Sequence, residues 1–181
     1  MNGSRLVGLA ALLGVAGAGC AAESRGARRD ARVPTAAAGE TRSLFDADWI
    51  WRDEQGQAVR FDRWRGAPIF VSLVFTSCTS DCPVTIERLR SVSDTFKAEG
   101  RAATFVLVTL DPLNDTPEQL QRFKLSRRLP AEWHLLRGDD AQTHALADLL
   151  QVKVVENAHI FHDSRIVVFD RDGKLAGQLR G

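Results

Sequence analysis

The run Ile69-Phe70-Val71-Ser72-Leu73-Val74-Phe75 constrains the fold of this chain more than any other segment. It is short, rich in β-branched and aromatic residues, and shows no polar alternation. A strand wet on one face would alternate, so this run predicts a central strand buried on both faces. Directly after it stands Thr76-Ser77-Cys78-Thr79-Ser80-Asp81-Cys82-Pro83. From Pro83 to about Glu99, Val84, Ile86, Leu89, Val92 and Phe96 recur at mostly helical spacing, and Gly100 supplies the stop. The two cysteines therefore lie where a buried strand hands over to a helix.

The remaining pattern repeats that alternation. Ala103 to Leu110 reads as a second buried strand. Asp115-Thr116-Pro117-Glu118 opens another helix, running to about Leu129, with a capping residue followed by proline. Trp133 to Leu136 reads as a short strand, and Asp139 and Asp140 precede a helix through Leu150. Ile166 to Phe169 is a further strand, Asp170-Arg171-Asp172-Gly173 a turn, and Lys174 to Leu179 the returning strand. Upstream, Trp49-Ile50-Trp51 and Val59-Arg60-Phe61 flank Asp53-Glu54-Gln55-Gly56-Gln57, a hairpin signal. Strands alternating with helices imply an α/β domain with a mixed sheet. Ligand sites of open α/β sheets sit at the carboxyl ends of the strands, where the cysteine pair is.

Cys78 and Cys82 are spaced C-x-x-x-C, with Cys82 at a helix start and Pro83 able to occupy the first turn. Free amides and the positive end of the helix dipole both favour a thiolate there. Two such thiols can bind a soft cation or close into a disulfide. Cu(I) is the soft biological ion that accepts two thiolates and an imidazole. A purely structural disulfide is the alternative, but one closing so small a loop constrains little of the unfolded chain. Among the histidines, His134 follows Trp133 at a strand start and His144 lies within a predicted helix, both ordinary structural or solvent-facing settings. His162 and His159 lie ahead of the late strand. Asp111, before Pro112, suits a turn. Trp49 and Trp51 suit the half-buried face of a hairpin, with a docking surface as the alternative.

The chain of 181 residues carries 24 Lys and Arg against 23 Asp and Glu, a net charge of +1. That balance gives no electrostatic case for a nucleic-acid partner. Its amino-terminal segment gives an address. Arg5 precedes a small-residue, apolar run of 14 residues, Leu6 to Gly19, too short to span a bilayer comfortably and suited to a signal-peptide core. Val15-Ala16-Gly17-Ala18-Gly19-Cys20 resembles a bacterial lipobox, with Gly17 where that motif prefers Leu, so Cys20 is a lipidation candidate. Residues 21–43 are polar and small, without apolar period, and read as a flexible tether. The expected organisation is 1–20 signal peptide and lipobox, 21–43 tether, and 44–181 a folded domain. The address is the periplasmic side of the bacterial inner membrane, with membrane contact only through the amino-terminal anchor.

A buried strand, T-S-C-x-x-x-C-P and an amphipathic helix resemble the Sco/SenC family. Two further segments strengthen the resemblance: Asp111-Pro112-x-x-Asp115-Thr116-Pro117, and His162 placed eight residues before Asp170-x-Asp172-Gly173-Lys174 in the strand leading to that turn. The resemblance covers roughly residues 46 to 180. It implies a thioredoxin-like fold, a central mixed sheet flanked by helices with an amino-terminal β-hairpin. It implies copper held by Cys78, Cys82 and His162, as Cu(I) with Cu(II) left open, and a role for Asp111 behind the metal ligands. It further implies delivery to the CuA centre on the copper-bearing subunit of cytochrome c oxidase during assembly, or to another copper-transfer protein. His159, three residues earlier, competes with His162. The sequence departs from the family at Phe161, where Asp is common, in a shortened loop before His162, and in having no C-terminal helix after the last strand. One sheet face is therefore expected to be covered differently or by a partner.

The same cysteines support a second function, thiol–disulfide exchange on exported proteins, in which the more exposed Cys78 attacks and Cys82 resolves, forming a disulfide. Dithiol exchange needs no distant imidazole. The residues His162-Asp163-Ser164-Arg165 also lack the proline that thioredoxin-type reductases carry before their late strand, which favours copper handling.

Overall fold

The computed structural model describes residues 43–156 and 160–180. In chain order these form β1 (Trp51–Asp53), β2 (Ala58–Val59), a 3-10 helix (Phe61–Trp64), β3 (Ile69–Val74), α1 (Asp81–Ala98), β4 (Thr104–Thr109), α2 (Pro117–Ser126), β5 (His134–Arg137), α3 (Asp140–Leu149), β6 (Val154–Glu156), β7 (Ile160–His162), β8 (Arg165–Phe169) and β9 (Leu175–Arg180). Seven strands make one sheet in the order β2-β1-β5-β4-β3-β8-β9, and β6 and β7 make a separate pair. Strands β3, β4 and β5 are parallel; β8 and β9 close one side of the sheet antiparallel, and the β1–β2 hairpin closes the other.

All six residues of β3 are buried. Ile69, Val71 and Leu73 enter the core on one face, and Phe70 and Val74 the core on the other. The buried Ser72 is satisfied by donating its hydroxyl to the Arg165 carbonyl, 2.8 Å away. On the face of Phe70 and Val74, α1 contributes Cys82, Ile86 and Leu89, and α2 contributes Leu120 and Phe123. Those spacings are one stripe of a helix. The opposite face is filled by Leu146 and Ala147 of α3, by Phe61 of the 3-10 helix and by Leu44 and Phe45. The second sheet face is thus covered from within the domain, by α3, the 3-10 helix and the entry segment.

Helix starts follow the sequence chemistry. The Thr116 side chain caps α2 by accepting from the Gln119 amide, with Pro117 in the first turn. Asp139 and Gln142 form a capping box at α3. Three expectations are corrected. Phe61 belongs to a 3-10 turn and not to a hairpin strand, because Phe61 and Trp64, three residues apart, meet on one side of that turn with ring centroids 5.7 Å apart. The α2 helix ends at Ser126, before the expected Leu129, where Arg128 takes a φ of 50° and the Leu129 amide bonds back to the Lys124 carbonyl. His162 is not in the strand leading to Asp170. It ends β7, paired with Val154 of β6, and Asp163 and Ser164 separate it from β8.

The chain enters this domain beside the β8–β9 turn. The Leu44 amide bonds the Gly173 carbonyl at 2.8 Å and the Ser43 hydroxyl bonds the Asp172 carbonyl at 2.7 Å. Gly173 has a φ of 75°, and a Cβ there would lie 2.5 Å from the Ser43 Oγ, so the turn requires glycine.

Candidate metal and dithiol site

Where β3 ends, the chain makes a tight turn, with the Cys78 amide bonding the Phe75 carbonyl at 3.1 Å, and α1 begins three residues later at Asp81. This brings Cys78 and Cys82 side by side at the carboxyl end of the central strand. Both thiols are free and both residues are buried. Cys82 is the second residue of α1 and part of its buried stripe.

The two sulfurs differ electrostatically. Burial alone would raise the Cys78 thiol. Hydrogen bonding from Cys82 and from the amides of Cys82, Ser80 and Asp81 outweighs burial and holds Cys78 below the ordinary thiol value. These are the orphan amides of the α1 start, so the helix end acts as an anion cradle. Burial pushes the Cys82 thiol up, to about 12, and the Cys78 sulfur pushes the same way against a backbone hydrogen bond at Phe75 and the Arg127 charge. A proton shared between the sulfurs therefore rests on Cys82. Arg127, at the end of α2, also donates to the Cys78 carbonyl at 3.4 Å and lies over the Phe123 ring.

The buried carboxyl beneath this loop is Asp115. It accepts from the Thr76 amide at 3.0 Å and from the hydroxyls of Thr76 and Thr109. Asp111 serves the neighbouring turn, its carboxyl accepting from the Asn114 amide and side chain. The sequence reading named Asp111 and missed Asp115. The available signal was that Thr116, and not Asp115, caps α2, which leaves the Asp115 side chain free for another partner.

His162 is described by its backbone position alone; its ring and His159 lie outside the described part. In the antiparallel β3–β8 register Ser72 faces Ile166, so the residues just before β8 reach the carboxyl end of β3, the end that carries the cysteine loop. Among the described residues, no group of three or more His, Cys, Asp or Glu converges on one point. His134 stacks on Trp64 with centroids 4.8 Å apart, and His144 bonds the Asp140 carbonyl within α3. Trp51 is fully buried, with Trp49 edge-on to it at 6.0 Å, so the pair is hairpin core. Cys20 lies outside the described residues. Among those described, no helix is long and apolar enough to cross a membrane.

The chain and its fold are similar to known proteins. The SCO1/SenC family model matches residues 37–181. The SCO1 protein homolog of Bacillus subtilis is 23% identical over 139 residues, covering 74% of this chain and 72% of that protein. SCO2-like proteins of Rickettsia are matched over 62% of their own length. Bradyrhizobium japonicum ScoI, solved with copper bound, superposes with a TM-score of 0.63 at 22% identity, over 73% of this chain and 87% of that one. BsSco, a member of the Sco family of cytochrome c oxidase assembly proteins in which a disulfide switch was identified, superposes with a TM-score of 0.66 at 21% identity, over 76% of this chain and 84% of that one. The shared fold is thioredoxin-like, and in this chain the cysteine pair lies between β3 and α1. By its matched length and its fold, the chain belongs to the SCO1/SenC family.

Proposed function

We propose that this protein binds copper as Cu(I) through Cys78, Cys82 and His162 and delivers it to an exported acceptor, the CuA-bearing subunit of cytochrome c oxidase. The observation that carries the reading is the reduced thiol pair, shielded from bulk water at a helix start whose amides stabilise sulfur anions. Two thiolates supply the soft donors that Cu(I) prefers, and an imidazole completes a three-coordinate set. The entry of β8 at the same end of the sheet gives His162 a short path to the pair. Copper-bound ScoI shows that a protein of this fold accommodates the metal. Exchange of one ligand at a time onto an acceptor's thiols needs only that Cys78 be reachable, and it is the less buried of the two, at 5% against 1% exposure.

Residues 1–20 act in this proposal as an export signal with lipidation at Cys20, 21–43 as the tether, and 44–181 as the working domain on the periplasmic side of the inner membrane. Asp111, one turn removed from the cysteine loop, supports the Asp111–Asn114 turn beside the site.

Anaerobic titration of the reduced domain, with X-ray absorption to count neighbours, should give one copper with two sulfurs and one nitrogen. His162→Ala should weaken binding at least about tenfold, about 1.4 kcal/mol, while leaving reduction of a model disulfide intact. A His162→Ala protein that holds copper as firmly as wild type would leave disulfide exchange as the function. In that second reading the Cys78 thiolate attacks the target disulfide, expels one target sulfur as thiolate, and Cys82 then displaces the other as its own disulfide with Cys78 forms.

A further inference from the structure

Asp115 is the one carboxyl in the described part that is almost fully buried and bonded at once to the cysteine loop and to the central sheet. Its residue is 2% exposed, and no basic side chain is among its hydrogen-bond partners. Thr76, two residues before Cys78, gives it both an amide and a hydroxyl. Thr109, the last residue of β4, gives it a hydroxyl and in turn accepts the Asp111 amide at 2.9 Å. The Asp115 amide bonds the Asp111 carbonyl at 2.8 Å, and the next residue caps α2. One carboxyl therefore fastens the start of the cysteine turn to the end of β4 and to the entry of α2. Burying a carboxyl is costly unless its lone pairs are filled, and here the donors that fill them come largely from the loop itself.

We propose that Asp115 is the positioning residue of the dithiol: by holding Thr76 it fixes the height and turn of the loop that presents Cys78 to Cys82. With Arg127 grasping the Cys78 carbonyl, the loop is held at two points on either side of Ser77. The proposal rests on reading Cys78 and Cys82 as the working pair, and not on the identity of the metal. Its consequence is a high effective concentration of one sulfur at the other, which sets how readily the pair closes into a disulfide or grips a shared ion.

The test is the equilibrium of the whole soluble domain with glutathione. One protein dithiol and one oxidised glutathione give one protein disulfide and two reduced glutathiones. Thr76→Val, which removes one donor to Asp115, and Asp115→Asn should each lower that constant by about tenfold, the scale of a hydrogen bond to a charged group. Thr76→Ser, which keeps the hydroxyl, should restore it. Thr143→Val, which removes the buried hydroxyl bond to the Asp139 carbonyl in α3, should leave it unchanged whatever it does to the denaturation midpoint. If Asp115→Asn fails to fold, the Thr76 pair decides. Constants for Thr76→Val and Asp115→Asn within twofold of wild type, alongside a lowered midpoint, would reduce Asp115 to a fold-stabilising role and overturn the proposal. Failure of the wild-type domain to bind copper would remove the copper reading and leave this measurement standing.

Discussion

Two thiols four positions apart have the same intrinsic chemistry, and here their surroundings separate them. Cys78 faces the amides at the α1 start, while Cys82 is turned into the apolar stripe between α1 and the sheet. At pH 8, limited alkylation of the reduced protein should therefore label Cys78 and spare Cys82, as peptide mass mapping would report; equal labelling would contradict the asymmetry. Cys82→Ser should keep a reactive Cys78, whereas Cys78→Ser should leave a thiol that alkylates slowly. The C-x-x-x-C spacing announces the pair, and Pro83 announces the helix start. The inequality of the two sulfurs depends on which of them the folded turn aims at the amides, which spacing alone does not encode. Asp115 was hidden for a related reason. In sequence, Thr116 before Pro117 reads as the helix cap, and only the fold reveals that the Asp115 carboxyl bonds Thr76.

At the scale of elements, strong local signals survived folding and weak ones gave way to tertiary packing. The unbroken apolar run became β3, and Thr116-Pro117 and Asp139 opened α2 and α3 as their chemistry requires. The pair β6 and β7 was not legible, since three-residue strands carry too little pattern to stand out. That omission placed His162 in the strand leading to Asp170, when it ends β7. The caps can be weighed directly. Asp139→Ala removes the Gln142 amide's acceptor and half of the capping box, and should cost about 1 kcal/mol, read as a lowered denaturant midpoint with unchanged slope. Gly173→Ala should cost more, because the new methyl meets both a left-handed backbone and the Ser43 and Phe45 side chains.

The whole molecule should be most sensitive on the acid side of neutrality. Glu54, in the β1–β2 turn, is almost fully buried and bonds Lys124 at 2.6 Å and the Leu135 amide at 3.1 Å, joining hairpin, α2 and β5. Burial works to raise its carboxyl, but Lys124 and the backbone donors prevail and hold it below 4.5. The native state thus binds its proton less readily than the unfolded chain, so this stabilisation is full above pH 4.5 and is lost as the pH falls through the lower native value. His134 adds an earlier loss. Burial lowers its ring below 6.5, so stability present above pH 6.5 declines as the unfolded chain takes up the proton first. Denaturant midpoints measured from pH 7 to pH 3.5 should fall in two stages. His134→Gln should flatten the first, and Glu54→Gln the second, at a cost near neutrality of about 3 kcal/mol for stranding the Lys124 charge.

The clasp between Ser43–Leu44 and the β8–β9 turn fixes where the described chain enters the domain. Phe169, which leads into that turn, pairs with Ile69 at the amino end of β3, whereas the cysteines follow Val74 at the other end, roughly 20 Å along the strand. Ser43 therefore marks the end of the sheet opposite the one that carries the reactive sulfurs, a handle set at the far end from the blade.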